Sequence, residues 1–118
     1  MLRPIALALA GAAALALTGC GPNCQTTCNR LYSTTGESCG DILQRPGTSS
    51  SSLINTCLEA CNDALATPGE VGGYNPNERT TLKPEFLLTN DKRAALWMDC
   101  VAGTSCEAMN NGYCEPIW

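Results

Sequence analysis

Cys24-Gln25-Thr26-Thr27-Cys28 is echoed later in the chain by Cys57-Leu58-Glu59-Ala60-Cys61. On a helix, residues four apart lie one turn above each other on one face. Each pair therefore predicts a helix that presents two thiols in a row. Two such helices running antiparallel can be bridged only in crossed order, Cys24 to Cys61 and Cys28 to Cys57. By chain entropy the inner bridge contributes about 3.6 kcal/mol and the outer one, closing a smaller additional ring, roughly 2 to 3 kcal/mol.

Working outward, the first helix is expected over residues 22–35, with Asn23 or the preceding turn starting it, Cys24, Cys28, Leu31 and Tyr32 on its inner face, and Gly36 as its stop. A turn carrying Cys39, Ile42 and Leu43 follows. Arg45-Pro46-Gly47-Thr48-Ser49-Ser50-Ser51-Ser52 has nothing to bury and two breakers, and predicts a flexible loop. Ser52 then caps a second helix over residues 53–66, with Leu53, Ile54, Cys57, Cys61 and Leu65 facing inward and Thr67-Pro68-Gly69 ending it.

From residue 67 to 89 the periodicity is lost. Gly72-Gly73, Asn75-Pro76-Asn77 and Lys83-Pro84 punctuate the stretch, which predicts an irregular strap whose Tyr74, Leu82, Phe86, Leu87 and Leu88 fill gaps between thin helices. Asn90 can cap a third helix over residues 91–102, with Leu96, Trp97, Cys100 and Val101 as its apolar stripe and Gly103 as its terminator. Thr104-Ser105-Cys106-Glu107 has capping-box spacing for a short fourth helix before Asn110-Asn111-Gly112 turns the chain. The expected fold is all-α: a disulfide-rich hairpin over residues 22–66, the strap over 67–89 and a helical C-terminal part over 90–118, with the third helix docked on the hairpin.

Cys39, Cys100, Cys106 and Cys114 allow three pairings. The expectation is a local clasp, Cys106 to Cys114, over the Gly112 turn, with Cys39 to Cys100 stapling the third helix to the hairpin. Zinc would accept the Cys-x-x-x-Cys spacing, and thiol exchange is conceivable in principle, but an oxidising compartment favours disulfides and no Cys-x-x-C pair is present. No metal or cofactor is expected.

Composition explains why so many bridges are needed. From Cys20 onward, Leu, Ile, Val and Phe number 15 of 99 residues, about 15%, below the roughly 20% at which a chain becomes suspect as disordered. Hydrophobic burial alone falls short, and cross-links are the usual remedy in small exported domains. Six Lys or Arg face eleven Asp or Glu over the same stretch, with no basic run, so nucleic acid is an unsuitable partner. Histidine is absent from all 118 residues, which sets aside Ser-His-Asp hydrolases, Cys-His proteases, His-containing zinc enzymes and covalent haem attachment. The acidic pairs Glu37/Asp41, Glu59/Asp63 and Glu85/Asp91 read as solvated surface, and no enzyme activity is expected.

The twin motifs resemble the helical hairpins of mitochondrial intermembrane-space chaperones and plant α-hairpinins. That resemblance spans about 40 residues and implies an architecture, not an activity, since those families do unrelated jobs.

The front of the chain carries a separate message. Met1-Leu2-Arg3-Pro4 supplies one positive charge and Ile5 to Leu17 thirteen residues without a polar side chain, the anatomy of a signal peptide. The run is too short for a membrane span, which takes about 20 residues. Leu17-Thr18-Gly19-Cys20 closes it and resembles the lipobox of bacterial lipoproteins. This resemblance implies removal of residues 1–19, a diacylglycerol in thioether linkage on Cys20 and a further acyl chain on its new amine. In that family an Asp after the lipidated Cys retains the product in the inner membrane; Gly21 stands there instead, which implies outer-membrane localisation through acyl chains on Cys20.

Trp97-Met98-Asp99-Cys100-Val101, Ser105-Cys106 and Gly112-Tyr113-Cys114 further resemble small cysteine-rich lipoproteins of gliding soil bacteria, some of whose outer-membrane lipoproteins serve motility. The functional expectation is a non-catalytic, lipid-anchored module that binds a protein or builds an assembly in the envelope, in surface or motility machinery. The alternative is an inhibitor of a protease or other hydrolase, with Arg45 as bait on a bridge-held loop, although Pro46 directly after it would resist a trypsin-like enzyme.

Overall fold

The computed structural model describes residues 21–80 and 82–118. The expected signal peptide, residues 1–19, and the lipobox Leu17, Thr18, Gly19 and Cys20 lie outside the described residues. Five helices follow in order: α1 (Cys24–Tyr32), α2 (Ser50–Leu65), α3 (Pro84–Leu87), α4 (Asp91–Gly103) and α5 (Cys106–Asn110). None of them is long and apolar enough to cross a membrane.

Asn23 starts α1 with a reciprocal cap. Its side-chain oxygen accepts from the Thr26 amide at 2.9 Å, and the Thr26 hydroxyl accepts from the Asn23 amide at 3.0 Å, which satisfies two of the donors a helix start leaves open. The helix ends at Tyr32, three residues short of the expected Thr35. The Ser33 and Thr35 hydroxyls bond to each other at 2.9 Å, a local alternative to helix that such residues favour. The returning chain takes the freed carbonyls: Cys39 N–H donates to Arg30 O at 2.6 Å and Gly40 N–H to Ser33 O at 2.9 Å. Gly36 does adopt a left-handed φ of +63°, but the close approach is made at Gly40, where a Cβ would run into the Tyr32 and Ser33 carbonyl oxygens.

The Ser-rich segment is shorter and more ordered than its composition suggests. Arg45 and Thr48 pair across a tight turn with Gly47 at φ +78°. Ser49, not Ser52, then caps α2, its hydroxyl accepting from the Ser52 amide at 3.1 Å. Serines 50–52 thus form the first turn of the helix. Leu53, Cys57 and Cys61 face inward as expected, joined by Ala64, whereas Leu65 is exposed.

The crossed bridges Cys24–Cys61 and Cys28–Cys57, each with Cα atoms 5.8 Å apart, hold α1 and α2 antiparallel. Helix α4 lies against both. Its start sits beside the end of α2, where Asp91 N–H donates to Thr67 O at 2.8 Å, and its end sits beside the end of α1, where Arg30 reaches Val101 O at 2.8 Å. It therefore runs parallel to α1. Asn90 caps it as expected, accepting from the Lys92 and Arg93 amides at 3.1 Å each, while its amide nitrogen donates to Glu70 O at 2.9 Å and fastens the strap. Of the expected stripe, Trp97, Cys100 and Val101 are buried with Ala94 and Met98, and Leu96 turns partly outward. Within the strap Tyr74, Leu87 and Leu88 are buried; Leu82 and Phe86 point to solvent instead of filling gaps.

Trp97 is fully buried at the centre. Its indole N–H is shared between the Cys114 and Pro116 carbonyls, at 3.1 Å each, so the largest apolar side chain also fixes the C-terminal segment. Trp118 meets the Trp97 ring edge-on, with centroids 5.9 Å apart, and its amide donates to the Tyr32 hydroxyl at 2.6 Å. Tyr74 donates to Glu115 O at 2.7 Å.

The remaining cysteines correct the expected pairing. Cys39–Cys100 and Cys106–Cys114 do not form; the structure has Cys39–Cys106 and Cys100–Cys114, with Cα separations of 5.3 and 5.6 Å. The reason is the path after α4. Arg30 holds Thr104 O at 2.7 Å, which brings the start of α5, and with it Cys106, under the end of α1 where Cys39 sits. After the Gly112 turn, Cys114 N–H donates to Pro76 O at 2.7 Å, and the chain is back beside Cys100. The hairpin is still stapled to the C-terminal part, but through α5.

Non-reducing peptide mapping should therefore recover a fragment joining Cys39 to Cys106 and another joining Cys100 to Cys114. The paired variant Cys100→Ala/Cys114→Ala, which opens a ring of about 15 residues, should lose about 3 kcal/mol in denaturant unfolding. Recovery of a Cys106–Cys114 fragment would contradict the observed pairing.

Candidate functional site

Of the residues singled out in the sequence, the eight cysteines from Cys24 onward are all consumed in the four bridges. They pair with one another, and none is left over for Cys20. Among the described residues no group of three or more His, Cys, Asp or Glu is placed to hold a metal ion. Glu37, Asp41, Glu59, Asp63 and Glu85 are exposed, as expected of solvated carboxylates; Asp91 is half-buried at the start of α4, and one of its carboxylate oxygens is buried without a hydrogen-bond partner.

Open clefts mark the surface of the described residues. One, of about 340 Å³, lies between the last turns of α2 and the α3 segment, with Ala60, Ala64, Leu88 and Trp118 on its walls. A second, of about 350 Å³, runs between α1 and the end of α4, lined by Thr27, Arg30, Glu37 and Val101; the Thr27 hydroxyl there is buried and unpartnered. A third, wider and more polar, is bordered by Arg79, Asn111, Gly112 and Glu115. Burial raises the Glu115 carboxyl above its ordinary value, against the Ile117 amide, which donates to it at 2.8 Å, and the positive charge of Arg45, both of which lower it.

The arginines act mainly on the backbone. Arg30 donates to Val101 O, Thr104 O and, at 3.3 Å, Glu37 O. It closes the end of α4, where helix carbonyls carry partial negative charge. Arg93 donates to Val71 O at 3.0 Å, Phe86 O at 3.0 Å and Leu87 O at 3.2 Å, and lies over the Tyr74 ring with its guanidinium carbon 5.5 Å from the centroid. Each gathers parts of the chain distant in sequence, a role no spacing rule announces; the only hint is an arginine near the end of one helix and near the start of another. Arg45, the expected bait, folds back to donate to Leu43 O at 3.3 Å and Gln44 O at 3.5 Å. It is half-buried and does not project from its loop.

Two tyrosines report on this packing. Burial pushes the Tyr32 phenol up to about 12, opposed by the backbone hydrogen bond from Trp118. Burial raises Tyr74 in the same sense, opposed by the charge of Arg93. Because the folded phenols hold their protons more tightly than the unfolded chain, stability should be unaffected by these groups below pH 10 and fall as pH rises from about 10 to 12. Tyrosinate absorbance followed together with circular dichroism checks this: ionisation of Tyr32 and Tyr74 should coincide with loss of tertiary signal. Arg30→Met, which strands the Val101 and Thr104 carbonyls, should cost about 2 to 4 kcal/mol in denaturant unfolding, whereas Arg79→Met, which loses one exposed bond to Asn111 O, should cost less than about 1 kcal/mol.

No family model, curated protein or solved structure matches the chain.

Proposed function

We propose that this chain is a non-catalytic, lipid-anchored protein of the bacterial outer membrane, a disulfide-stapled module that holds a protein-binding surface in the envelope. The observation that carries the reading is the ninth cysteine. Leu17-Thr18-Gly19-Cys20 closes an apolar run, and the other eight cysteines pair with one another, which makes Cys20 the odd cysteine of nine. Four bridges also suit a protein that leaves the reducing cytosol. A single acyl chain binds a membrane reversibly, whereas two or three hold it more or less permanently, so attachment asks nothing of the folded part. Its surface is then free to serve recognition. Gly21 after the anchor favours outer-membrane sorting over inner-membrane retention, and surface or motility machinery is the setting in which such a module would work.

Intact mass of the protein extracted from native membranes should show cleavage before Cys20 and the added mass of a diacylglycerol and a third acyl chain. Cys20→Ala should accumulate as an unprocessed or soluble species in membrane fractionation. A wild-type protein that is cleaved but carries no lipid would overturn the anchor. Crosslinking of the acylated protein in intact cells should return one reproducible protein neighbour, and the module reading fails if none is found.

A further inference from the structure

Following the covalent and hydrogen-bonded contacts along the bundle brings four elements to one end. Cys24, the first residue of α1, is bridged to Cys61, one turn before α2 finishes. Thr67, two residues past α2, accepts from the amide of Asp91, the first residue of α4. Arg93, in the first turn of α4, holds the Phe86 and Leu87 carbonyls of α3. The start of α1, the end of α2, the start of α4 and the whole of α3 therefore share that end, while the loop carrying Ile42 joins α1 to α2 at the other, roughly 24 Å away along α2.

The chain leaves toward Cys20 from the first of these ends. Four peptide units separate Cys20 from Cys24, so their Cα atoms can be no more than about 14 Å apart. The same end carries the two most exposed large apolar side chains of the described residues, Phe86 at 62% and Leu82, two residues ahead of α3, at 59%, together with Leu65, the last residue of α2, at 43%; the opposite end offers Ile42 alone, at 49%. Lys83, Lys92 and Arg93 lie at this end, offset by Asp63, Glu70, Glu85 and Asp91.

We infer that this end is a membrane-seating surface, with Phe86, Leu82 and Leu65 entering the interface of the bilayer that holds the lipid on Cys20. The inference rests on the lipid-anchor reading. The short tether forces this end against the bilayer, and exposed apolar side chains gain by leaving water there, as in interfacial elements that sink 5 to 10 Å into the headgroup boundary. Near-balanced charge makes the contact a matter of apolar burial, indifferent to anionic lipid and to salt. The seating fixes which surface is presented outward: the Ile42 end.

The test uses the full acylated protein in phosphatidylcholine vesicles, with a tryptophan introduced at either end, Phe86→Trp or Ile42→Trp, and the parent's Trp97 and Trp118 emission subtracted. Both positions are exposed, so neither change disturbs the core. With lipids brominated high on the acyl chain, the Phe86→Trp emission should shift to the blue and fall about twofold, in low and high salt alike, and Ile42→Trp should be unchanged. The mass of the same sample separates the two ways of failing. If Cys20 carries its lipid and Phe86→Trp is no more quenched than Ile42→Trp, the seating is wrong and the anchor stands. If Cys20 carries no lipid, both are overturned.

Discussion

A chain with so few branched aliphatic and phenylalanine side chains cannot bury enough apolar surface to offset the entropy of ordering itself, and the four bridges supply the difference by restricting the unfolded state. Everything else in the fold is arranged around where they sit. The paired Cys-x-x-x-Cys turns set α1 against α2, and α4 packs against that pair with Trp97, its largest side chain, and Met98 buried. The cystine sulfurs themselves are core material: Cys28, Cys39, Cys57, Cys61 and Cys114 are completely buried and fill space that leucines would occupy in an ordinary helical domain.

Polar groups do the second share of the assembly. Arg30, Arg93 and Asn90 direct their donors to backbone carbonyls at the end of α4 and in the strap, where a buried carbonyl without a partner would be costly. Trp97 and Tyr74 do the same with their N–H and O–H groups. The strap and the C-terminal segment are thereby held through their backbones, which is how the strap, expected to be irregular throughout but folded into the single turn of α3 at Pro84–Leu87, covers the helices.

The hairpin, the caps of α1 at Asn23 and of α4 at Asn90, and the helical C-terminal part were legible in the sequence because each rests on local rules: thiol spacing, capping side chains and apolar periodicity. What local rules miss is set by chain return. Tyr32 ends α1 because Cys39 and Gly40 come back to its carbonyls, not because of Gly36. Serines 50–52 are helical because Arg45 to Thr48 turns tightly enough to let Ser49 cap. Leu82 and Phe86 look like core in one dimension and lie outside in three, since Tyr74 and Leu87 already fill the space against α4. Of the candidate site, the proposed anchor motif is a matter of sequence alone, but the nearness of the start of α1 to exposed Phe86 and Leu65 needs the fold.

The difference between the expected and observed bridges has a consequence for the integrity of the molecule. With Cys39 joined to Cys100 and Cys106 to Cys114, the peptide bonds between Cys100 and Cys106 would lie inside no covalent ring. In the observed connectivity, Cys24–Cys61, Cys39–Cys106 and Cys100–Cys114 overlap end to end. Every backbone bond from Cys24 to Cys114 is enclosed by at least one ring, so a single scission anywhere in that span sheds nothing: both pieces stay tied together.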